Sequence, residues 1–418
     1  MQALLMRKLK LAGRRGDAKE AKRMLVGALA QPGAGLVVDA AMFNMAMSVF
    51  TKHGMWQETL RCKDQMAGLG IQPDLCNFNC FISACVSGKQ GKRAVELMSE
   101  MRASGITPNL FSWNAAITAC RKGGNLREAA GLFREMTSSE TPPNAKSYAT
   151  TISACADGAQ WEEAVELLRG MPALGVAPDT SCYTAAIKAC GASRHWKAAV
   201  ELLREMVTVG LTPDVVAYNT TITACGNAGQ WGRAVDLLRE MPTVGITPDV
   251  VSYSAAITAC GIGERADEAV SLLREMPAMG VTPNIIAFSM TIKACGICRR
   301  WEQAIEVFRG IAAANIAPTA VIFNSVIGAC AASGQLAEAL ALLREMPAVG
   351  ITPDAKSFNW VLTACVNAGT PDKVVEILKE MAAMRVVPDH LSYGVAMKAC
   401  GAGHQRELAT ELLREMSY

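Results

Sequence analysis

The side chains best equipped for nucleophilic, redox or metal chemistry in this chain are fifteen cysteines and four histidines. The histidines, His53, His195, His390 and His404, are scattered and share no local pattern. Ten of the cysteines stand 35 residues apart: Cys85, Cys120, Cys155, Cys190, Cys225, Cys260, Cys295, Cys330, Cys365 and Cys400. Thiols one period apart cannot all pair, and an unpaired Cys behaves as a small buried hydrophobe. Reduced thiols in a reducing compartment follow, not a disulfide scaffold. Cys295 and Cys298 have the spacing of a metal or redox pair, but no second pair follows and Cys295 is one of the ten. No catalytic constellation emerges. The sequence therefore reads as a binding module and not an enzyme, with no cofactor, no metal and no small-molecule substrate.

The same period governs a second signal. Pro-Asp or a close variant recurs at Pro73-Asp74, Pro108-Asn109, Pro143-Asn144, Pro178-Asp179, Pro213-Asp214, Pro248-Asp249, Pro283-Asn284, Pro318-Thr319, Pro353-Asp354 and Pro388-Asp389. A fixed period of this length marks supersecondary units that stack on their neighbours. A chain of 418 residues would ordinarily form two or three domains, but an array grows one core by addition and needs no linker. Half the residues are apolar (51%), yet no run of about 18 uncharged apolar residues occurs, so no membrane span is expected. A net charge of +3 gives no independent support for nucleic-acid binding.

The unit Val215 to Asp249 shows what must position any site. Tyr218, Ile222 and Cys225 lie at i, i+4, i+7, one face of a helix. Gly226 and Gly229 break that pattern. Trp231, Ala234, Leu238 and Met241 then mark a second helical face, which Gly245 and Pro248 stop. Each unit is thus expected to be a helix–turn–helix of about 12 and 14 residues, unable to bury its stripes alone. Arg-Glu pairs such as Arg239-Glu240 and Arg274-Glu275 are expected to face solvent. The Trp residues at 56, 161, 196, 231 and 301 share one repeat position and are expected to pack in the core and not to stack on bases. The expected fold is all-α, a right-handed superhelical solenoid of helix–turn–helix repeats. Residues 1–39 read as a degenerate N-terminal capping repeat, with a basic start that also fits an organelle presequence. Residues 40–389 hold ten repeats, and 390–418 a partial one.

The 35-residue length, the opening "VVAYNTTI", the "LLREM" second helix and the "GITPD" ending together resemble the pentatricopeptide repeat family, as a P-class-like array. The resemblance covers Ala40 to Tyr418. It implies an organellar (mitochondrial or chloroplast) soluble protein that binds single-stranded RNA, one nucleotide per repeat, in transcript stabilisation, processing or translation. A different role keeps the same surface: a scaffold subunit of a large organellar assembly, such as a ribosome, binding other proteins or ribosomal RNA.

In the family the base readers are the fifth and last residues of each repeat. Carried over, Asn44 with Asp74, Asn219 with Asp249, Asn324 with Asp354, and Asn359 with Asp389 resemble the uracil type. Asn79 with Asn109 and Asn114 with Asn144 resemble the pyrimidine type. Thr184 with Asp214 resembles the guanine type, and Ser254 with Asn284 the adenine type. Asp179 is paired with Ala149, which has lost its reading group, and Ser289 with Thr319 fits no type. With RNA running 5′ to 3′ along the chain, the implied target is U-Y-Y-?-G-U-A-?-U-U. Short Asn, Ser and Thr side chains can donate to or accept from a base edge. An Asn in the first turn of a helix can instead simply cap it. Polar choices vary at these places while the Tyr218-type and Cys225-type positions scarcely change, which is what a code would produce.

The second residue of each repeat clamps the base in the family, a role that falls here to Val216, Val251, Ile286, Val321 and Leu391. Lys146, Lys356, Ala41 and Ser181 depart from that pattern. Lys52 and Lys122 occupy the place from which the family reaches a phosphate. Asp157, Ala192 and Asn227, among others, stand there in the other repeats. Because phosphate neutralisation supplies much of nucleic-acid affinity, this depletion weighs toward the scaffold role. Lys188, Lys293 and Lys398, near the same helix end, offer partial compensation.

Overall fold

Asp249 shows how each repeat starts. Its extended backbone (φ −108°, ψ −178°) places the carboxylate to accept from the N–H of Ser252, while the Ser252 hydroxyl accepts from the Asp249 N–H. This reciprocal capping box satisfies two otherwise orphaned groups and launches the helix Val250–Ile262. Asp74, Asn109, Asn144 and Asp354 build the same box, and Asp179, Asp214 and Asn284 cap singly. The second helices begin without a side-chain cap, as at Gln90, Asn125, Gln160 and Gln230. There the tight turn does the work. The Gln230 N–H returns to the Cys225 carbonyl at 2.9 Å across left-handed Gly229 (φ 72°).

The computed structural model describes Arg7, Leu11 and residues 17–29, 39–314 and 316–402. Every 35-residue interval from 40 to 389 contains two helices, beginning with Ala40–Lys52 and Trp56–Gly68 and ending with Ala355–Ala368 and Lys373–Ala383. The helix Ala18–Leu29 precedes them and His390–Ala402 follows. Among the described residues there is no strand. The rest of the proposed capping repeat and of the partial last repeat lies outside the described residues.

The chain falls into two compact units. One comprises Met1–Ser193 with Arg204–Leu211, the other Arg194–Leu203 with Thr212–Tyr418. Within each, first helices stack on first helices and second helices close their outer side, an all-α helical-repeat solenoid. The stripes read from the sequence form the core: Tyr218, Ile222, Cys225, Ala234, Leu238 and Met241 are all buried. Burial pushes the Cys120, Cys155, Cys260 and Cys330 thiols up to about 12, so they stay neutral and pack as hydrophobes. Cys298 is half-buried at the C-cap of Ile285–Ile297, while Cys295 sits in the core.

Two expectations are corrected. Gly226 does not end its helix, which runs Val215–Asn227. A Cβ there would lie 2.9 Å from the Cβ of Ala259, so the glycine lets adjacent first helices approach closely. The Trp residues at 56 and 231 are half-buried at the seam between repeats. A Cβ at Gly88 would meet Trp56 at 2.6 Å, and one at Gly263 would meet Trp231 at 2.3 Å. The Arg-Glu pairs reach solvent as expected, with Arg239, Arg274 and Arg344 exposed, and they also make partners. Tyr218 donates to Glu240 at 3.1 Å, and Arg239 reaches Glu268 of the next repeat at 2.8 Å. Arg274–Glu306 (2.7 Å) and Arg344–Glu380 (2.9 Å) repeat that rung. Helical periodicity reads one helix at a time and is blind to such cross-repeat partners.

Candidate nucleic-acid interface

The fifth residue of each repeat sits one helical turn inside the first helix, and the last residue caps the helix that follows. Stacking brings the two together. Asn219 Nδ2 donates to Asp249 Oδ1 at 3.1 Å, Asn324 to Asp354 at 3.3 Å and Asn359 to Asp389 at 3.2 Å. Asn44 spans both oxygens of Asp74, at 3.3 and 3.4 Å. All four uracil-type pairs are thus direct hydrogen-bonded couples across a repeat boundary. The Asn–Asn pairs, Asn79 with Asn109 and Asn114 with Asn144, are not bonded to each other among the described residues.

The capping role falls on the last residue and not on the fifth, and it coexists with the couple. In Asp249 and Asp354, Oδ1 takes both the cap bond and the amide, leaving lone-pair capacity on Oδ2. Partial burial works to raise the pKa of Asp354. The Ser357 N–H, the Ser357 hydroxyl and the Asn324 amide outweigh it and hold the carboxyl below its ordinary value. Asp249 follows the same balance, and in Asp389 the Ser392 N–H and hydroxyl lead. These groups are carboxylates at neutral pH and can only accept.

Ser and Thr at the fifth place behave differently. Ser254 donates to the Val250 carbonyl at 2.7 Å, Ser289 to Ile285 at 2.8 Å and Thr184 to Thr180 at 2.8 Å. Their protons are committed within their own helices, so they offer lone pairs alone. Thr319 is the exception among the last residues, extended but without a side-chain cap bond.

The second residues line the same rim, three positions before the fifth on one helical face. Val216, Val251, Ile286, Val321 and Leu391 are all exposed, from 52% at Ile286 to 68% at Val321. Phe111 (54% exposed) and Cys76 hold the same place in their repeats and were missed by the sequence reading, although register alone identifies them. Around Asn79 the parts assemble into an open pocket of about 400 Å³ lined by Lys52, Cys76, Asn79 and Phe111. Lys122 is exposed at the matching place two periods on from Lys52. Lys188 does not add free charge: it reaches Asp157 at 2.8 Å, which also takes Arg121 at 3.1 Å. Among the described residues no group of His, Cys, Asp or Glu could hold a metal ion, and no helix is long and apolar enough to cross a membrane.

Stacked helical hairpins with Asn–Asp couples at four repeat boundaries define a helical-repeat protein that carries a modular surface. The chain belongs to the pentatricopeptide repeat family. The PPR repeat family matches at 108–157 and 213–262, the pentatricopeptide repeat domain at 61–125 and 166–228, and the PPR repeat at 41–71, 146–176 and 251–281. The pentacotripeptide-repeat region of PRORP matches 286–414. No curated protein matches the sequence significantly. Among solved structures, the pentatricopeptide repeat protein PPR10 from maize aligns with a TM-score of 0.72 at 20% identity, covering 100% of this chain. This chain spans 64% of that maize chain. Yeast Rmd9p, solved in complex with a 16-nt target RNA, aligns with a TM-score of 0.50 at 11% identity over 98% of this chain and 88% of its own.

Proposed function

We propose that this protein binds single-stranded RNA of an organelle, one nucleotide per repeat, without catalysing its conversion. One observation carries the reading: Asn and Asp meet at 3.1–3.4 Å at four repeat boundaries, beside exposed aliphatic side chains at Val216, Val321 and Leu391. A coupled amide keeps one N–H for a base carbonyl, and the ionised carboxylate accepts from a base N–H. Uracil offers both groups on one edge, whereas cytosine has no ring N–H to give. An aliphatic side chain to either side suits the flat faces of a base. Family membership supports the choice of ligand and the organellar setting, and the RNA carried by the yeast Rmd9p structure supports the choice of ligand. The proposed target remains U-Y-Y-?-G-U-A-?-U-U across residues 40–389, and the proposed action is to stabilise, mask or remodel a transcript.

The test changes Asn219→Thr. Thr at this place spends its proton on its own helix, as Thr184 does, and presents only an acceptor. Preference at one nucleotide should move from uracil toward guanine by about 1–3 kcal/mol, with other positions untouched. Selection of bound RNAs from a random pool by both proteins, at one stated salt concentration, measures it. An unchanged preference at every position sinks base reading. A second reading, the scaffold role, is favoured by the Arg121–Asp157–Lys188 cluster standing where a phosphate contact would be. Co-purification of a fixed protein set, with no nuclease-protected RNA, would establish it instead.

A further inference from the structure

We propose that the third residue of a repeat orients the fifth-position asparagine of the repeat before it, and so decides which group that asparagine shows to a base. The inference rests on the RNA-reading role above. A carboxamide turned by half a revolution exchanges its donor and acceptor at almost no steric cost, so its neighbours must fix it. The one proton of the Ser112 hydroxyl faces Asn79 Oδ1 at 2.6 Å and Asn109 Oδ1 at 2.9 Å, with the shorter bond to Asn79. Ser357 shares its one proton between Asn324 Oδ1 at 2.7 Å and Asp354 Oδ1 at 2.9 Å, and Ser392 shares its own between Asn359 Oδ1 at 2.7 Å and Asp389 Oδ1 at 2.8 Å, the asparagine being the nearer acceptor each time. Asn77 does the same with its amide, reaching Asn44 Oδ1 at 2.7 Å. Each bond pins the oxygen inward and turns Nδ2 toward the rim.

Residue choice along the chain follows the same rule. The six fifth-position asparagines (44, 79, 114, 219, 324 and 359) are followed by Asn77, Ser112, Ser147, Ser252, Ser357 and Ser392, all donors. The four other repeats, with Ala149, Thr184, Ser254 and Ser289, are followed by Cys182, Ala217, Ala287 and Ile322. None of these carries a strong donor, and the Cys182 thiol turns to the Ala145 carbonyl instead. Helix capping alone does not require this match, since Asp214 and Asn284 cap helices that bear Ala217 and Ala287 at this place.

The geometry also grades the six. Asn44, Asn324 and Asn359 are held from both sides, by the third residue and by Asp. Asn79 is held by Ser112 alone. Asn219 is held by Asp249 alone, and its Oδ1 is buried without a partner. Asn114 has neither: Ser147 donates to Asn144 at 3.0 Å, and Asn114 Oδ1 is likewise buried and unpartnered.

Asn79 and Asn114 therefore form a matched pair, each coupled to an Asn, with Ser112 and Ser147 in equivalent capping boxes. Ser112→Ala should lower the pyrimidine preference at the Asn79 nucleotide about tenfold, the scale of one base contact. Ser147→Ala, which loses the same cap, should leave the Asn114 nucleotide unchanged. Ser112→Asn should restore the preference, because Asn77 already performs that role. The readouts are RNA selection and the side-chain amide signals of ¹⁵N-asparagine-labelled protein. The Asn79 amide should shift in Ser112→Ala and return in Ser112→Asn. Equal losses in both alanine variants, or an Asn79 amide and preference indifferent to Ser112→Ala, overturn the inference while leaving RNA reading intact. A parent that enriches no RNA instead removes the reading on which the inference rests and overturns its specificity claim, whatever the amide signals show.

Discussion

Repeats 320–354 and 250–284 share a backbone and differ in what the fifth residue does with its protons. Asn324 gives one N–H to Asp354 and keeps another for the rim. Ser254 gives its only proton to Val250, inside its own helix, and keeps lone pairs. One repeat presents a donor, the other an acceptor. Uracil and cytosine offer acceptors that suit the first; the amino group of adenine and the N–H groups of guanine suit the second. On the proposed RNA-reading role, the difference between pyrimidine and purine types would reduce to whether the side chain is long enough to escape its own helix. A serine hydroxyl one bond from Cβ is captured by the i−4 carbonyl, and an amide is not.

The comparison breaks most severely if the two can be interchanged without effect. Ser254→Asn combined with Ala287→Ser gives repeat 250–284 both the amide and the hydroxyl that orients it. Preference at that nucleotide should move from adenine to pyrimidine, by about 1–3 kcal/mol. Ser254→Asn alone should move it less, because Ala287 offers no hydrogen bond. RNA selection with parent, single and double variants measures the series. Equal single and double variants would leave the orienting hydroxyl without a role.

A smaller effect is expected where the cap is missing. Thr319 alone among the last residues lacks a side-chain cap bond, although its backbone is already extended (φ −121°, ψ 162°). Thr319→Asp should supply that bond to the helix Ala320–Ala332 and stabilise the array by about 1 kcal/mol. The denaturation midpoint should rise, and the undefined position read by Ser289 should acquire a guanine preference. A midpoint that stays put or falls would show that the extended conformation does not itself prepare a cap.

The fold was legible because its signal repeats. Aromatic, Cys and Pro positions recur at 35 residues, so every unit restates the same two helices. The couples were legible through the family resemblance, which pairs the fifth and last residues of each repeat and so names Asn219 with Asp249. Three things were not. Trp231 reads as core by periodicity but packs on Gly263 of the next repeat, a pairing no single unit contains. Ser112 and Ser357 stand out in no periodic signal, and only stacking turns their hydroxyls to the preceding asparagine. The direction of a hydroxyl proton or an amide is likewise invisible in a residue name, although it separates the Asn repeats from the Ser repeats.

The smallest effect concerns pH and sharpens the donor side of the comparison. Asp354 and Asp389 titrate below the ordinary carboxyl value of 3.8 in the folded chain. A depressed folded pKa means that the native state binds protons less readily than the unfolded one, so stability rises with pH across that interval. The contribution is fully present above the unfolded value and is lost as pH falls through the folded one. Uracil preference at the Asn324 and Asn359 nucleotides should therefore be the same at pH 7.5 and 5.5, with both carboxylates still ionised. Stability should decline only below about pH 4. Asp354→Asn keeps the cap, as Asn109 does in its own repeat, and removes the charge. It should flatten part of the acid limb of a denaturation profile and relax uracil toward general pyrimidine binding, since an amide oriented either way meets uracil or cytosine. A uracil preference that changes between pH 7.5 and 5.5 would place the titration of these carboxylates in that range and remove the ionised acceptor from the pair.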